Sequence, residues 1–294
     1  MSKAVQGILL AFLAYGVFSV ADAFIKAVGA RLPPFQIVFV LGALSVMALP
    51  FLRGPDDPWS SMFRMARPRL VLLRGLAGAL AGIFGVVAFI RLPMAEAYAI
   101  VFVAPVLSVV LSGLILKETI GWRRVVSVLL GILGVLVVLR PGLREVQFGH
   151  LMALCSAVCV SASVLTLRRL GGEERPFVIY AGLAAVTMAV SAPLMLWQGF
   201  VWPDPGEWLM LGIAGAAASF AHVALMAATR RAPASLVAPT LYSQMLWAVV
   251  YGSLFFGEFP DSMTFAGVAL VVASGLVLIA RPALAPLPQD APSA

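Results

Sequence analysis

Charged residues are scarce in this chain, and asparagine does not occur in it. Asp, Glu, Lys and Arg make up 11% of the 294 residues, whereas soluble domains contain roughly 25%. Hydrophobic residues reach 62%. So low a charge content excludes an ordinary soluble domain, and the lack of asparagine excludes N-glycosylation.

Residues that bind metals or carry out covalent catalysis are also few. The chain has two cysteines and two histidines, and their spacing matches no metal site. Cys155 and Cys159 lie four residues apart in one apolar run, on one face of the predicted helix, and are interpreted as small core residues. The sequence contains no Gly-x-Ser-x-Gly, no His-Glu-x-x-His and no paired aspartates inside an apolar run. We therefore expect neither a metal nor another cofactor, and an enzyme acting within the membrane is disfavoured.

Long apolar runs make up most of the chain. Ten of them are each long enough to cross a hydrocarbon core of roughly 30 Å. They cover approximately residues 5–28, 33–52, 69–90, 94–116, 121–139, 148–167, 177–197, 207–229, 233–256 and 263–280. The sequence therefore predicts an all-α membrane protein with ten transmembrane helices, and a lipid bilayer is its expected partner.

The net charge of +7 lies mainly on one side of this predicted topology. With the N-terminus in the cytoplasm, the inner segments hold fourteen Lys and Arg residues. The outer segments hold five, namely Lys26, Arg31, Arg91, Arg140 and Arg144. This positive-inside bias predicts that the N- and C-termini are both cytoplasmic. Because topology accounts for the basic excess, no nucleic-acid partner is expected.

A degenerate repeat divides the chain into two halves. A stretch of 28 residues that begins at Arg91 is echoed 140 residues later, with six identical positions. Each half holds five spans, so the second half enters the membrane from the opposite side. We predict two inverted five-helix repeats, at 1–141 and 142–282. The proline-rich end at 283–294 is predicted to be a disordered cytoplasmic tail.

The first span has an alternative interpretation. Lys3, the apolar run after it and the small residues around Asp22 together resemble a cleavable secretory signal. However, Lys26 in the first span matches Arg168 in the sixth at an offset of 142. Cleavage would leave nine spans and break the repeat, which favours a retained helix.

Two blocks of the repeat resemble a known family. The first runs from Ala104-Pro105 through Glu118 to Gly134, and the second from Ala238-Pro239 through Gly257-Glu258 to Gly275. Both are similar to EamA domains, the five-helix units of the drug/metabolite transporter superfamily, and the resemblance covers essentially the whole chain. It implies a bacterial inner-membrane exporter of small metabolites. The aromatic-rich fourth and ninth spans are most similar to those of exporters of neutral and aromatic amino acids.

Polar groups at membrane depth are costly, which makes them candidates for contact with a substrate. Gln244 is the amide nearest the centre of any span, and Trp247 and Tyr251 continue its helical face. Core packing is the alternative for this aromatic stripe. In the fourth span, Tyr98 and Phe102 share a face that lies opposite Trp247 in the predicted bundle.

The eighth span adds two further candidate substrate contacts. His222 and Ser219 lie close together there, although a packed, hydrogen-bonded imidazole is the alternative for a lone histidine. Glu96 lies in the first turn of the fourth span, where a helix N-terminus favours an anion, so a structural role is predicted for it.

Other residues are predicted to form gates or to fix loops. Asp22 and Lys26 lie four residues apart on one face of the first span, which indicates either an intrahelical ion pair or a charged outer gate. Glu118 and Glu258 end their spans at the helix end that disfavours an anion, so each is expected to have a cationic or N–H partner. Pro105 and Pro239 interrupt their spans and are the hinge candidates.

These features predict a carrier that works by alternating access and is monomeric. The acids cluster near span ends, with Asp22 the deepest candidate, which favours facilitated diffusion over proton exchange. A proton-coupled antiporter of drugs, nucleosides or other metabolites is the alternative. A channel is disfavoured, because the sequence shows no ring of charges or filter motif.

Overall fold

The computed structural model describes residues 2–54, 57–116, 122–140, 145–170 and 174–279. All regular secondary structure in these ranges is helical. The helices are α1 Lys3–Val28, α2 Pro34–Leu44, α3 Leu49–Leu52, α4 Pro68–Arg91, α5 Met94–Val101, α6 Ala104–Leu116, α7 Trp122–Leu139, α8 Phe148–Leu170, α9 Pro176–Gln198, α10 Pro205–Thr229, α11 Ala234–Val237, α12 Ser243–Phe256 and α13 Ser262–Ile279. Short 3-10 helices lie at Ser45–Ala48, Trp59–Phe63 and Ala238–Tyr242.

Seven stretches of the described chain are long and apolar enough to cross a membrane. They are Lys3–Val28, Pro34–Leu52, Pro68–Arg91, Met94–Ser112, Phe148–Leu170, Pro176–Gln198 and Pro205–Thr229, and two shorter apolar stretches are Val125–Leu139 and Ser262–Val277. The prediction of an all-helical membrane protein is confirmed. The count of ten spans and the cytoplasmic termini stay predictions, and the tail at 283–294 and the predicted boundary between 141 and 142 lie outside the described residues.

Proline starts several of the helices. Pro34, Pro68, Pro176 and Pro205 each occupy the first position of a helix, where the missing N–H has no intrahelical partner in any case. At the start of α10 the Asp204 side chain accepts a hydrogen bond from the Glu207 N–H, and the Glu207 side chain accepts one from the Asp204 N–H. This reciprocal capping box stabilises the helix end.

The two interior prolines predicted as hinge candidates coincide with interruptions of the helical backbone. Pro105 follows the two-residue break between α5 and α6. Pro239 lies in the 3-10 helix between α11 and α12. A proline removes one N–H and clashes with the carbonyl four residues earlier, which explains why regular α-helix stops at both places. A hinge function for Pro105 and Pro239 stays a prediction.

The long helices pack in pairs, and each pair takes one helix from each half of the chain. The first helix of one half packs on the third long helix of the other, as α1 with α10 and α8 with α4. The pairs α2 with α9 and α7 with α13 join equivalent positions of the two halves. In both crossed pairs a glycine near the start of one helix faces the end of its partner: Gly7 faces Ala232, and Gly149 faces Leu92. The crossed pairs are therefore antiparallel.

Small residues allow the closest contact between helices. A Cβ atom at Gly134 on α7 would lie 2.9 Å from the Gly267 carbonyl on α13, and one at Gly267 would lie 2.8 Å from the Gly134 carbonyl. Neither backbone leaves room for a side chain. This is how transmembrane helices pack when apolar bulk gains nothing over lipid.

Gly267→Val is expected to lower the melting temperature of the purified protein in detergent. The added side chain must push α7 away from α13, and overpacking of this kind costs about 1–3 kcal/mol. Gly212→Val is the matched control, because a Cβ atom there meets nothing within 4 Å. Equal melting temperatures for the two variants would contradict the close packing of α7 on α13.

Candidate functional site

A cavity of about 480 Å³ lies between the two halves. Most of its wall comes from the first three long helices of each half, α1, α2 and α4 from one and α8, α9 and α10 from the other. Val101 at the end of α5 and Ser45 in the 3-10 helix after α2 complete it. Most of its wall is apolar or made of small residues such as Gly78, Gly82 and Gly85. Its polar or titratable lining residues are Asp22, Ser45, Ser156, Tyr180, Thr187 and His222. Pockets of this kind, apolar with a few convergent polar groups, are the usual small-molecule sites.

Asp22 is the acid that lines this cavity, and a hydrogen-bond network holds it in place. The Tyr98 hydroxyl donates to Asp22 Oδ2. The same hydroxyl accepts a hydrogen bond from Gln244 Nε2 at 3.3 Å and lies 3.4 Å from Ser19 Oγ. Asp22 Oδ1 makes no hydrogen bond within the described residues. The structure thus brings Tyr98, Gln244 and Asp22 together and leaves one carboxylate oxygen available.

The sequence interpretation of Asp22 needs one correction. The ion pair within α1 is wrong, because Asp22 bonds to Tyr98 and Lys26 bonds to residues of other helices. The prediction that Asp22 is the deepest of the acids stays a prediction, and the structure adds that Asp22 lines the cavity. The chain folds back over the last turns of α1 at Leu92 and Glu258, so the end of this helix is enclosed.

Lys26, Leu92, Met94 and Glu258 form a second polar cluster, which we call the Lys26 latch. Lys26 Nζ lies 2.7 Å from Glu258 Oε1 and donates to the Leu92 carbonyl. Glu258 Oε2 accepts the Met94 N–H at 3.0 Å. Both kinds of partner predicted for Glu258, a cation and an N–H group, are therefore confirmed. The latch joins α1, the α4–α5 turn and the end of α12. Glu118, the counterpart of Glu258 in the first repeat, lies outside the described residues.

A glycine places Glu258 at the latch. Gly257 adopts the left-handed conformation at the end of α12, with φ 63°, which costs glycine little and other residues more. The reversal lets the Glu258 N–H donate to the Gly252 carbonyl at 2.9 Å. The carboxylate then points back toward α1.

A second depression, of about 410 Å³, lies beside the latch. Arg140 bonds to Asp261 there, and this guanidinium holds the pKa of the Asp261 carboxyl below its usual range. Glu96 is 3% exposed and lies 3.5 Å from His150 Nε2. A structural role was predicted for Glu96, but its histidine partner, far away in the sequence, was not.

The two matches to a known family fit this two-part architecture. Residues 5–140 and 147–280 each match the EamA-like transporter family. The chain belongs to this family. The resemblance seen in the sequence is confirmed.

Several relatives of this EamA-like protein have names that state what they carry. The pseudopaline exporter of Pseudomonas aeruginosa is 31% identical over 275 residues, covering 93% of this chain and 95% of its own. The S-adenosylmethionine uptake transporter of Rickettsia prowazekii is 26% identical and covers 93% and 92%. The riboflavin transporter of Rhizobium johnstonii is 27% identical and covers 95% and 92%. A transporter of small metabolites is the function class that these relatives share.

A solved crystal structure has the same fold as this EamA-like chain. The TM-score is 0.60 at 22% sequence identity, and the alignment covers 94% of this chain and 96% of the other. At this identity the likeness concerns the fold alone.

Two candidate residues of α10 lie at the cavity or beside it. His222 lines the cavity, and its Nδ1 donates to the Ala218 carbonyl at 2.9 Å because a carbonyl can only accept. Its ring packs edge-on against Phe18 and Tyr180, with centroids at 4.8 and 5.1 Å. Ser219 is buried one turn away and donates to the Leu44 carbonyl.

The other aromatic candidates lie away from the cavity in this EamA-like protein. Phe102 packs between Tyr98 and Tyr242, with centroids at 5.2 and 6.0 Å. Trp247 stacks on Tyr251 at 5.8 Å and faces α1. Contact of Phe102, Trp247 and Tyr251 with a substrate stays a prediction, since the structure does not bring them to the cavity.

Sequence reasoning missed several residues of the cavity wall. Ser156 lines the cavity while its hydroxyl donates to the Ala81 carbonyl at 2.9 Å, and Thr187 and Tyr180 face the same space. Serine and threonine inside apolar helices often bond to the backbone, so residue type alone did not distinguish them. Their position in helices rich in small residues was the available indication.

The Lys26 latch predicts coupled effects of substitutions at its two charged ends. Lys26→Met and Glu258→Gln are each expected to destabilise the protein, and the double variant by less than the sum. Each single change leaves a half-buried polar group without its partner, and coupling energies of residues in contact are about 0.5–3 kcal/mol. Melting of the four proteins in detergent measures this term. Lys26→Met with Asp261→Asn is the control and should be additive, because Asp261 pairs with Arg140. Additivity in the first pair would contradict the latch.

Proposed function

We propose that this protein is a carrier of the bacterial inner membrane that moves small metabolites bearing an amino group. The observation that carries this proposal is the position of Asp22, whose carboxylate lines the cavity between the two halves. A charge at membrane depth is costly unless it has a partner or a task. Tyr98 supplies one hydrogen bond, and the second oxygen is available for a cationic substrate group.

The surroundings of Asp22 suit an ammonium group. The Phe89 ring lines the cavity and packs edge-on against Tyr98 with centroids 4.8 Å apart, and aromatic faces attract cations. The Tyr98 hydroxyl fixes the orientation of the carboxylate, and Gln244 in turn holds that hydroxyl, so little conformational freedom is lost when a ligand binds. Apolar parts of a substrate would pack against the remaining wall.

The transport cycle that we propose is alternating access by a monomer of ten spans. The repeats at 1–141 and 142–282 would be inverted, with both termini and the tail 283–294 in the cytoplasm. The exchanged, antiparallel pairs α1 with α10 and α8 with α4 support this arrangement. Such repeats rock around a site near the membrane midplane and open it to one side at a time. Lys26 lies one turn beyond Asp22, so the latch would close the outer side.

The substrate range proposed here is broader than amino acids. Export of neutral and aromatic amino acids is the narrower proposal, and the aromatic side chains of Phe89 and Tyr180 at the cavity support it. The relatives named for pseudopaline, S-adenosylmethionine and riboflavin support a metabolite carrier without selecting this substrate. Competition by the twenty amino acids, S-adenosylmethionine and riboflavin against one transported substrate would rank these candidates.

Asp22→Asn is expected to lower the apparent affinity for an amine substrate about tenfold to a hundredfold. Removal of one charge-assisted contact costs about 1.5–3 kcal/mol, and each 1.4 kcal/mol is about a factor of ten. Labelled amino-acid counterflow in proteoliposomes measures it. Glu145→Gln is the matched control, because Glu145 is exposed and remote from the cavity. Unchanged counterflow in Asp22→Asn, with normal folding, would refute the proposed site.

Proton-coupled antiport is the second candidate, and the same carboxylate favours it. The sequence favoured facilitated diffusion because the acids cluster near span ends, but Asp22 lines the cavity, where it can meet a substrate or a proton. A proton and an ammonium group compete for one carboxylate, which is the basis of exchange.

An imposed pH gradient distinguishes these two mechanisms. For antiport, proteoliposomes should accumulate substrate above the external concentration, and Asp22→Asn should only equilibrate it. For facilitated diffusion, both proteins should stop at equal concentrations whatever the gradient. Accumulation that persists in Asp22→Asn would contradict the role of Asp22 in coupling.

A further inference from the structure

A second charged residue, Arg74, lies near the cavity and is not part of the site described above. Arg74 lies on α4, and its Nε and Nη1 atoms are buried without a hydrogen-bond partner in the described part of the chain. Unpaired buried donors of a charged group are expensive, and buried charges normally have partners. An anionic ligand would satisfy these donors.

Arg74 lies close to the cavity but is not among its lining residues. Gly78, one turn later on α4, lines the cavity wall. The positive charge of Arg74 also acts on the ring of His222, another lining residue. His222 is no counter-ion for it, since an imidazole is neutral or positive. The acid of the cavity, Asp22, lies on α1.

The two charges are far apart. Gly85 lines the cavity on the turn of α4 next to Phe89, which packs against the Tyr98–Asp22 pair. From Arg74 to Gly85 the helix rises about 17 Å at roughly 1.5 Å per residue. The long arginine side chain shortens or lengthens this distance by several ångströms, so the charged groups are on the order of 10 Å or more apart.

A solvent-directed side chain is the alternative for Arg74. Long basic side chains near helix ends often extend toward water. Arg69, at the start of the same helix, is exposed in this way. Arg74 is only half-buried as a whole, but two of its nitrogen atoms have no contact with solvent. This difference between two arginines of one helix favours a ligand at Arg74.

We infer that Arg74 is an anion-binding residue and that the transported solute carries a carboxylate or phosphate as well as an amino group, held on the order of 10 Å apart. The inference rests on the proposed carrier function, with the amino group at Asp22. A free α-amino acid holds its two charges on one carbon and would reach one of these residues at a time. An elongated dipolar metabolite would reach both. The planar guanidinium suits an anion because it binds carboxylate or phosphate through two parallel hydrogen bonds.

Linear ω-aminocarboxylates test this geometry as molecular rulers. The series from aminopentanoate to aminododecanoate, and n-alkylamines of the same lengths, would be titrated against the full-length protein in nanodiscs of neutral lipid. One length of aminocarboxylate is expected to bind at least tenfold more tightly than its matched alkylamine. Arg74→Gln should abolish that preference and leave alkylamine binding unchanged. Arg69→Gln is the matched control and should keep the preference.

Each remaining outcome supports or overturns the inference. Arg74→Lys keeps the positive charge but lacks the planar guanidinium, so it should keep part of the preference. This variant still tests the inference if Arg74→Gln does not fold. A preference that survives in both variants, or its absence in the wild type, overturns the inference. So does loss of the preference on addition of anionic lipid, which would assign Arg74 to a lipid headgroup. Failure of every amine to bind, or full binding by Asp22→Asn, would refute the proposed function instead.

Discussion

The hydrogen bond from Tyr98 to Asp22 is the contact on which the interior of this protein depends. A carboxylate among apolar helices needs a donor, and a buried tyrosine hydroxyl needs an acceptor, so each group satisfies the other. Gln244 donates to the same hydroxyl, which draws α12 to α1 and α5. One oxygen atom therefore joins three helices from both halves of the chain. Apolar packing alone would not specify their register, because lipid competes for apolar surfaces.

The position of Asp22 on α1 would link binding of the proposed substrate to the Lys26 latch. Lys26 follows Asp22 by one helical turn and is held by Glu258 and the Leu92 carbonyl. A helix moves as a nearly rigid body over one turn, so a shift of α1 that accommodates a ligand at Asp22 also moves Lys26. If α1 has two arrangements in the proposed transport cycle, both sites would bias the equilibrium between them, which is the physical requirement for coupling. In this way occupancy of the cavity would be transmitted to the outer side.

The helices and several of the polar residues in the interior could be predicted from the sequence, but most of their hydrogen-bond and ion-pair partners could not. Apolar length predicted the helices, and the scarcity of polar groups at depth selected Tyr98 and Gln244. The partner of Asp22 was missed because Lys26, four residues away, satisfied a local rule, whereas Tyr98 is 76 residues distant. Glu258 was assigned the right kind of partner because a helix end disfavours an anion. Trp247 shows the limit: its depth in the membrane stays a prediction, and the direction of its side chain follows from the contact between α1 and α12, which the sequence does not show.

The symmetry of the fold and the asymmetry of its charges have different consequences. The first three long helices of each half supply most of the cavity wall, so the two halves contribute to the scaffold in similar ways. The repeat places Val164 opposite Asp22 and Ala238 opposite Tyr98, so the charged site occurs once. A symmetric scaffold with symmetric charges would hold a ligand in two equivalent orientations. In the proposed site, one carboxylate and one arginine would permit a single orientation for a dipolar ligand and would distinguish it from ligands that carry only one charge.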